Sequence, residues 1–340
     1  MFLNVIMLIG GLIILVKGSE VFIDSASEIA KRIGISEMLI GLTLVAFGTS
    51  LPEWISSLIA AFRDPNDLPC TSAAEISCTV TDLALGNVIG SNIANIGMVL
   101  GLVGVIIAKP ILARPQFLLR DIPMMLILAI LAWYFALVGN QINRWEGLLM
   151  FVLFLIVTSF TVAEARNIAS DEEESVDDPD SADSSESQNP SSVSSIRLTT
   201  GTLLGFMGLI VGSQFLVDGA SGIAIGIGIP ESTVGITMVA FGTSVPELAT
   251  SIMAGKRNRF DMLLGGIIGS NIANTAVVLG TVALLVPVQV PQSMILFQFP
   301  VMLLFSLLLW VFMLDGEIQR WQSALLVGAY VCFSGYLFLQ

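Results

Sequence analysis

Histidine is absent from the chain, and with it go imidazole metal sites, histidine-based triads and histidine proton relays. Charge is scarce as well. Only 12% of the residues are Asp, Glu, Lys or Arg, about half of what a soluble domain carries, whereas 55% are hydrophobic. An ordinary cytosolic enzyme is excluded on that ground. Cysteine occurs only three times. The missing positive charge is mostly an appearance. Of the 27 acids, nine lie between Asp171 and Glu186 with no base among them, so the rest of the chain carries 18 acids against 14 bases. The overall acidity therefore identifies no partner, and nothing in the basic residues suggests nucleic acid.

What is present in excess is apolar sequence. Uninterrupted apolar runs cover about 2–16, 38–62, 83–108, 117–138, 147–164, 200–217, 232–254, 262–286, 293–314 and 322–339. A bilayer is crossed by about 20 apolar residues in a helix, and hydrocarbon tolerates only helices or closed barrels. These runs predict ten transmembrane helices in a multi-pass protein of the lipid bilayer, five on each side of the acidic stretch. The first run has no basic segment before it and no small-residue cleavage site before Lys17, which predicts a mature helix rather than a leader. The acids of 171–186 are accompanied by Ser and Pro, a composition that cannot bury enough apolar surface to fold. The expected organisation is 1–164 as one five-helix unit, 165–199 as a disordered linker, and 200–340 as a second five-helix unit.

The two units are copies. GLTLVAFGTSLPE at 41–53 returns as GITMVAFGTSVPE at 235–247, and the preceding GSEVFIDSASEIAKRIGIS at 18–36 matches GSQFLVDGASGIAIGIGIP at 212–230. GNVIGSNIAN at 86–95 returns as GGIIGSNIAN at 265–274, and NRWEG at 143–147 resembles QRWQS at 319–323. The offset falls from 194 to 179 between the first and second motifs, so the first half carries a 15-residue insertion within Arg63 to Asp82. An odd number of helices per copy makes the second copy enter the membrane upside down, an inverted repeat that places sites near the midplane. Basic residues give the sidedness. With the N-terminus outside and the linker inside, twelve lie inside and only Arg63 and Arg144 outside. This predicts a plasma or inner cell membrane protein whose linker is cytoplasmic. Cys70 and Cys78 then fall in the inserted outer loop, where a disulfide between them is expected if that side is oxidising, and Cys332 stands alone.

The chemistry concentrates in the repeated motifs. Glu53 and Glu247 occupy matching places within long apolar helices, where a charged group costs about 2.5–3.5 kcal/mol even on a lenient scale. Thr49 and Glu53 lie four apart on one helical face, with Ala46 and Ser50 each three residues before one of them. Pro52 and Pro246 have no N–H, so the carbonyls of Gly48 and Gly242 lose their helical donors, and the breaks loosen those of Thr49 and Thr243. Ser91 and Asn95 share a face, as do Ser270 and Asn274, while the glycines at 86, 90, 265 and 269 allow close helix approach. Carboxylates, hydroxyls, amides and carbonyls without sulfur or imidazole suit Ca²⁺ and Na⁺.

These paired VAFGTSLPE and VAFGTSVPE motifs, together with the paired GSNIAN motifs, resemble the α-repeats of the sodium/calcium exchanger branch of the cation/calcium antiporter superfamily. The resemblance covers all but the linker and the inserted loop. It implies an all-α membrane protein of ten transmembrane helices, arranged as two inverted five-helix repeats. It also implies Ca²⁺ held by Glu53 and Glu247 with the Thr49 and Thr243 carbonyls. Na⁺ sites around these would draw on Ala46, Thr49, Ser50, Ser91, Glu53, Ala240, Thr243, Ser244, Ser270 and Glu247, with Asn95 and Asn274 lining the site. Asn274 stands where potassium-dependent members carry an acid, which argues against K⁺ co-transport. The function expected is Na⁺/Ca²⁺ exchange by alternating access, both ions competing for one two-glutamate centre, with no cofactor beyond the transported ions and no protein partner inferable. Proton/Ca²⁺ antiport on the same fold is the alternative, since a buried glutamate can carry H⁺. An intramembrane enzyme is disfavoured, because no base other than the glutamates stands near Ser50 or Ser244.

Overall fold

The structure, a computed structural model, describes residues 1–62, 80–107, 109–176, 195–227 and 242–339. The regular elements of the described residues are helices and four two-residue strands. In order, its elements are α1 (Phe2–Arg32), α2 (37–49), α3 (Leu51–Phe62), α4 (80–107), strand β1 (Ile111–Leu112), α5 (117–139), β2 (Gln141–Ile142) and α6 (Arg144–Val176). The second half follows with α7 (Ser195–Gly226), α8 (Val245–Lys256), α9 (260–285), β3 (Val288–Gln289), α10 (294–312), β4 (Glu317–Ile318) and α11 (Arg320–Leu339). Eight helices among the described residues are long and apolar enough to cross a bilayer. In the second half α8 and α11 stand at the places along the repeat that α3 and α6 hold in the first. Residues 228–241, which precede α8, lie outside the described residues.

The strands establish the inversion. β1 pairs antiparallel with β4, Ile111 opposite Ile318, and β2 pairs with β3, Ile142 opposite Val288. Within each half, α5 or α10 separates the two strands by one crossing. Pairing the strand before α5 with the strand after α10 therefore puts them on one side, and the other pair on the opposite side. Each half's equivalent strands face opposite ways, which only an inverted repeat allows.

Packing sorts the helices into centre and periphery. Of the most apolar stretch of α9, 94% is enclosed, whereas only 17% of that of α6 is. In soluble proteins apolar residues turn inward. Here Leu3, Ile13, Phe160, Leu204 and Trp145 are exposed around the perimeter, as a lipid-facing surface requires. The central seam joins α4 and α9 through a reciprocal clamp between matching residues of the two motifs. Asn92 Nδ2 donates to the Asn271 carbonyl at 3.4 Å and to Thr275 Oγ1 at 2.9 Å, and Asn271 Nδ2 donates back to the Asn92 carbonyl at 3.3 Å. The pseudo-two-fold axis passes between them.

Two expectations need revision. The apolar run of 2–16 understates α1, which continues through Lys17, Glu20 and Asp24 to Arg32, because these residues are compatible with helix and stand at its exposed end. At about 1.5 Å per residue its 31 residues span about 46 Å, longer than the hydrocarbon core. Likewise α6 extends to Val176 and α7 begins at Ser195, so the expected linker borders at 165 and 199 fall within helices, and 177–194 lie outside the described residues. Hydropathy marks where lipid contact ends, whereas helix ends follow backbone hydrogen bonding.

α1 and α7 lie antiparallel, packed chiefly on each other. A Cβ at Gly11 would stand 2.4 Å from the Leu216 amide nitrogen, and one at Gly205 would stand 2.5 Å from that of Phe22. Gly18 and Gly212 make the equivalent contacts, with Cβ positions 2.8 Å from the Gly208 carbonyl carbon and 2.5 Å from the Leu15 nitrogen. Backbone thus touches backbone at two symmetry-related places along the pair. The glycines of the second motif behave unequally. Gly265 and Gly269 allow α9 to lie against α2, their Cβ positions 2.7 Å from the Met38 and Leu42 carbonyl oxygens. Gly86 would meet only the Met294 methyl at 3.6 Å, and Gly90 meets nothing within 4 Å among the described residues.

Candidate functional site

Each copy of the first motif breaks its helix at the serine. Ser50 (φ −82°, ψ 0°) ends α2, and Ser244 (φ −88°, ψ 1°) precedes α8. The following helices restart through Trp54 N–H to Ser50 O at 3.0 Å and Leu248 N–H to Ser244 O at 3.1 Å. The cause is local: proline at 52 and 246 cannot supply the amide that would have continued the ladder. Consequently Glu53 and Glu247 sit in the first turns of α3 and α8, where the exposed N–H groups favour negative charge.

These two first turns meet at the interface of the halves. Glu53 is 0% and Glu247 3% exposed, and they lie close enough for their charges to interact. Each is flanked by a hydroxyl of the other repeat: Thr243 stands beside Glu53, with Ser91, and Thr49 stands beside Glu247. Thr49 Oγ1 is also 3.4 Å from Ser270 Oγ, which points at the Ala46 carbonyl at 3.4 Å. The structure therefore brings Ala46, Thr49, Glu53, Ser91, Thr243, Glu247 and Ser270 into one cluster, drawn from both halves. Ser50 borders a separate small cavity of about 10 Å³ with Phe47, Leu51 and Trp54, while Ala240 lies outside the described residues. Asn95 is anchored through Nδ2 to Asn271 Oδ1 at 3.0 Å.

The cluster is rich in buried oxygens that the protein does not satisfy. All four carboxylate oxygens and the Ser91 hydroxyl of this cluster are buried with no hydrogen-bond partner within 3.5 Å, and elsewhere in the repeated motifs so are the hydroxyls of Ser50 and Ser244, Asn95 Oδ1 and both amide atoms of Asn274. Leaving a buried polar atom unpaired costs about 1–3 kcal/mol, so native interiors hold few. A concentration of them between two helix breaks is a set of hard donors suited to replacing the hydration shell of a cation. Among the described residues no third acid, cysteine or histidine joins the two glutamates. The donor set is thus two carboxylates plus neutral oxygens, a charge that matches one divalent cation.

Some participants escape a reading of the motifs alone. Asn87 Nδ2 donates to the Glu53 carbonyl at 3.2 Å, Ser56 Oγ at 3.1 Å and Ser57 Oγ at 3.0 Å, and its Oδ1 accepts from Thr243 Oγ1 at 3.5 Å. Its counterpart in the second copy is Gly266, so repeat matching hides it. Asn92 and Asn271 were visible in the repeated GSNIAN, but only the fold shows that they clamp the halves together rather than line the cluster. Single π-turns begin at Asn95 and Asn274 in both copies, the widened ladder that recurs at functional sites.

Two inverted halves, helix breaks at their interface and a buried oxygen cluster between them define a membrane transporter of the inverted-repeat kind. The family model described as "Sodium/calcium exchanger protein" matches residues 3–163 and 197–339, and the chain belongs to that family. It is 34% identical to the sodium/calcium exchanger MaX1 of Methanosarcina acetivorans over 98% of both chains. It is 32% identical to the inner membrane protein YrbG of Escherichia coli, covering 99% of this chain and 98% of that one. Among solved structures it resembles the sodium-calcium exchanger NCX_Mj soaked with zero Na⁺ and Ca²⁺, at a TM-score of 0.79 and 32% identity, with 99% of each chain covered. The family consists of exchangers, so the chain is a transporter and not an enzyme.

Proposed function

We propose that the chain exchanges Ca²⁺ for Na⁺ by alternating access, with Glu53 and Glu247 as the shared centre. The observation that carries this reading is the cluster of buried, unpartnered carboxylate and hydroxyl oxygens contributed by both halves. Ca²⁺ would take the two carboxylates with the carbonyls of Thr49 and Thr243. Na⁺ ions would use the same carboxylates together with Ala46, Ser50, Ser91, Ala240, Ser244 and Ser270, and Asn95 and Asn274 would line the site. Two negative charges cannot neutralise Ca²⁺ and several Na⁺ at once, so occupancy is exclusive, and the unloaded carrier with two unbalanced charges crosses poorly. The hydroxyl-rich GTS before each proline favours Na⁺ over H⁺, because a proton site needs no oxygen cage.

The moving parts in this reading are α1 and α7, which pack on each other more than on the core and can slide across it as a pair. The two five-helix halves are read as joined on the cytoplasmic side by the segment between α6 and α7. Sidedness is supported by the gathering of basic residues at one end. Arg114 pairs with Asp261 at 2.6 Å, Lys109 reaches Asn258 at 3.4 Å, and Arg257 pairs with α1. Arg144 follows β2, across the membrane from β1. Cys70 and Cys78, read as a disulfide of the outer loop, lie outside the described residues, and Cys332 is a free, exposed thiol.

Equilibrium Ca²⁺ binding to the purified protein, titrated at increasing Na⁺, tests the shared centre. Apparent affinity should fall steeply with Na⁺, with no ternary complex. Affinity indifferent to Na⁺ but sensitive to pH would replace this reading with proton exchange.

A further inference from the structure

A narrow cavity of about 10 Å³, with room for about one water, lies beside Glu247 and along one face of α8, past Thr250, Ser251 and Ala254, the i, i+3, i+4 and i+7 positions. Val45 and Thr49 of α2, Met262, Leu263, Gly266 and Ile267 of α9 and Ile23 of α1 complete its wall. From the carboxylate it heads toward the C-terminal end of α8, and its far end is apolar and closed: Ile23, Ala254, Met262 and Leu263 are each at most 1% exposed.

A charge network crosses that end. Arg257 Nη2 lies 2.9 Å from Asp24 and 3.1 Å from Glu20 of α1. Arg259 reaches Asp24 and Glu37, each at 3.7 Å, and donates to the backbone carbonyl of Ile23 at 3.4 Å, thereby holding the plugging residue itself. Ser27 of α1 donates to Glu37, which ties in the start of α2. The two arginines project from the tight turn between α8 and α9, where Asn258 takes a positive φ of 57°. Elsewhere α1 rests mainly on α7, so this turn is its charged attachment to the core. The matching places on α7 are Gln214 and Asp218, which bond within their own helix at 3.0 Å.

We propose that Thr250 and Ser251 line an ion path from Glu247 to this side of the membrane, and that Asp24, Glu37, Arg257 and Arg259 form a latch that keeps Ile23 across its mouth. The path opens when α1 slides and draws Ile23 and Asp24 away from the 257–259 turn. The proposal rests on the exchange reading for its cargo, but the closure can be measured without it. Surface ion pairs are individually weak, yet four contacts share one small turn, so removing both arginines alters the gate population measurably.

The test uses the full chain in liposomes with Cys70, Cys78 and Cys332 changed to Ser and Ser251→Cys as the reporter. A membrane-impermeant thiol reagent is applied from the network side. Labelling should be slow with the latch intact and rise about tenfold with R257Q/R259Q. Asp24→Asn, at an exposed position, should give part of that rise without risk to folding. The charge swap D24R/R257D should restore slow labelling. Equal labelling in latched and unlatched proteins, or a swap that leaves labelling fast, overturns the latch. Ca²⁺ binding measured on the same proteins separates the two readings. A labelling change in protein that binds no Ca²⁺ retains the gate and discards the cargo, while unchanged labelling in protein that binds Ca²⁺ discards the gate.

Discussion

Glu53→Gln separates what the cluster does for transport from what it does for the fold. The substitution keeps the side chain's volume and removes one of the two charges. In the unloaded protein it should be tolerated, because Gln keeps an oxygen that can accept from Thr243 and Ser91 while a charge buried without a counter-charge is removed. The loaded protein is different. Glu53 is fully buried, so no water compensates the lost charge opposite a divalent ion. Removing one member of a buried charged pair costs about 2–5 kcal/mol, which is about 30-fold to several thousandfold in Ca²⁺ affinity. Ligand-linked stabilisation tracks that loss: at about 100 times Kd, Ca²⁺ adds about 2.7 kcal/mol to the parent, and at the same concentration adds close to nothing to a variant weakened a thousandfold. The assay is thermal unfolding of detergent-solubilised protein with and without Ca²⁺, alongside gradient-driven Ca²⁺ flux in vesicles. The expected pattern is an unloaded midpoint at or above that of the parent, no shift with Ca²⁺, and no flux. Because Glu247 is only 3% exposed and sits in the symmetry-related first turn, Glu247→Gln should behave alike. A normal Ca²⁺ shift, or near-normal flux in either variant, would refute the reasoning.

Adjacent glycines of α1 make a second, internally controlled test. A Cβ at Gly11 would stand 2.4 Å from backbone of α7, about 1 Å inside normal contact, whereas one at Gly10 meets nothing within 4 Å. Gly11→Ala should therefore destabilise the protein by about 1–3 kcal/mol and slow exchange, while Gly10→Ala should be neutral or gain up to about 1 kcal/mol from helix propensity, as thermal unfolding would show. Equal effects at the two positions would mean that α1 and α7 are not held backbone to backbone. For the outer loop, protein made in an oxidising compartment and denatured without reductant should show one free thiol, Cys332. Three would remove the disulfide.

Most of the architecture was written in the order of residues. The period of the apolar runs, the double occurrence of GTS-Pro-Glu and of GSNIAN, and the odd number of helices per copy are one-dimensional facts. From them follow a membrane protein, a duplication and its inversion, and the structure adds the β1–β4 and β2–β3 pairings as independent proof. The paired glutamates, threonines and serines were equally legible, because a duplicated polar residue in an apolar helix has no packing reason to persist. What a linear pattern could not carry is distance between residues far apart in the chain. Thr243 beside Glu53, Thr49 beside Glu247, the Asn92–Asn271 clamp and the reach of Asn87 from α4 to the Glu53 carbonyl all depend on how the halves dock. Arg257 and Arg259 counted only among the basic residues that mark sidedness until the fold set them against Asp24 of α1 at the end of the Glu247 cavity. Hydrophobicity and local backbone chemistry act between near neighbours and are encoded residue by residue, whereas the pairing of two helix faces is chosen by close packing across the whole molecule, and only the folded chain states it.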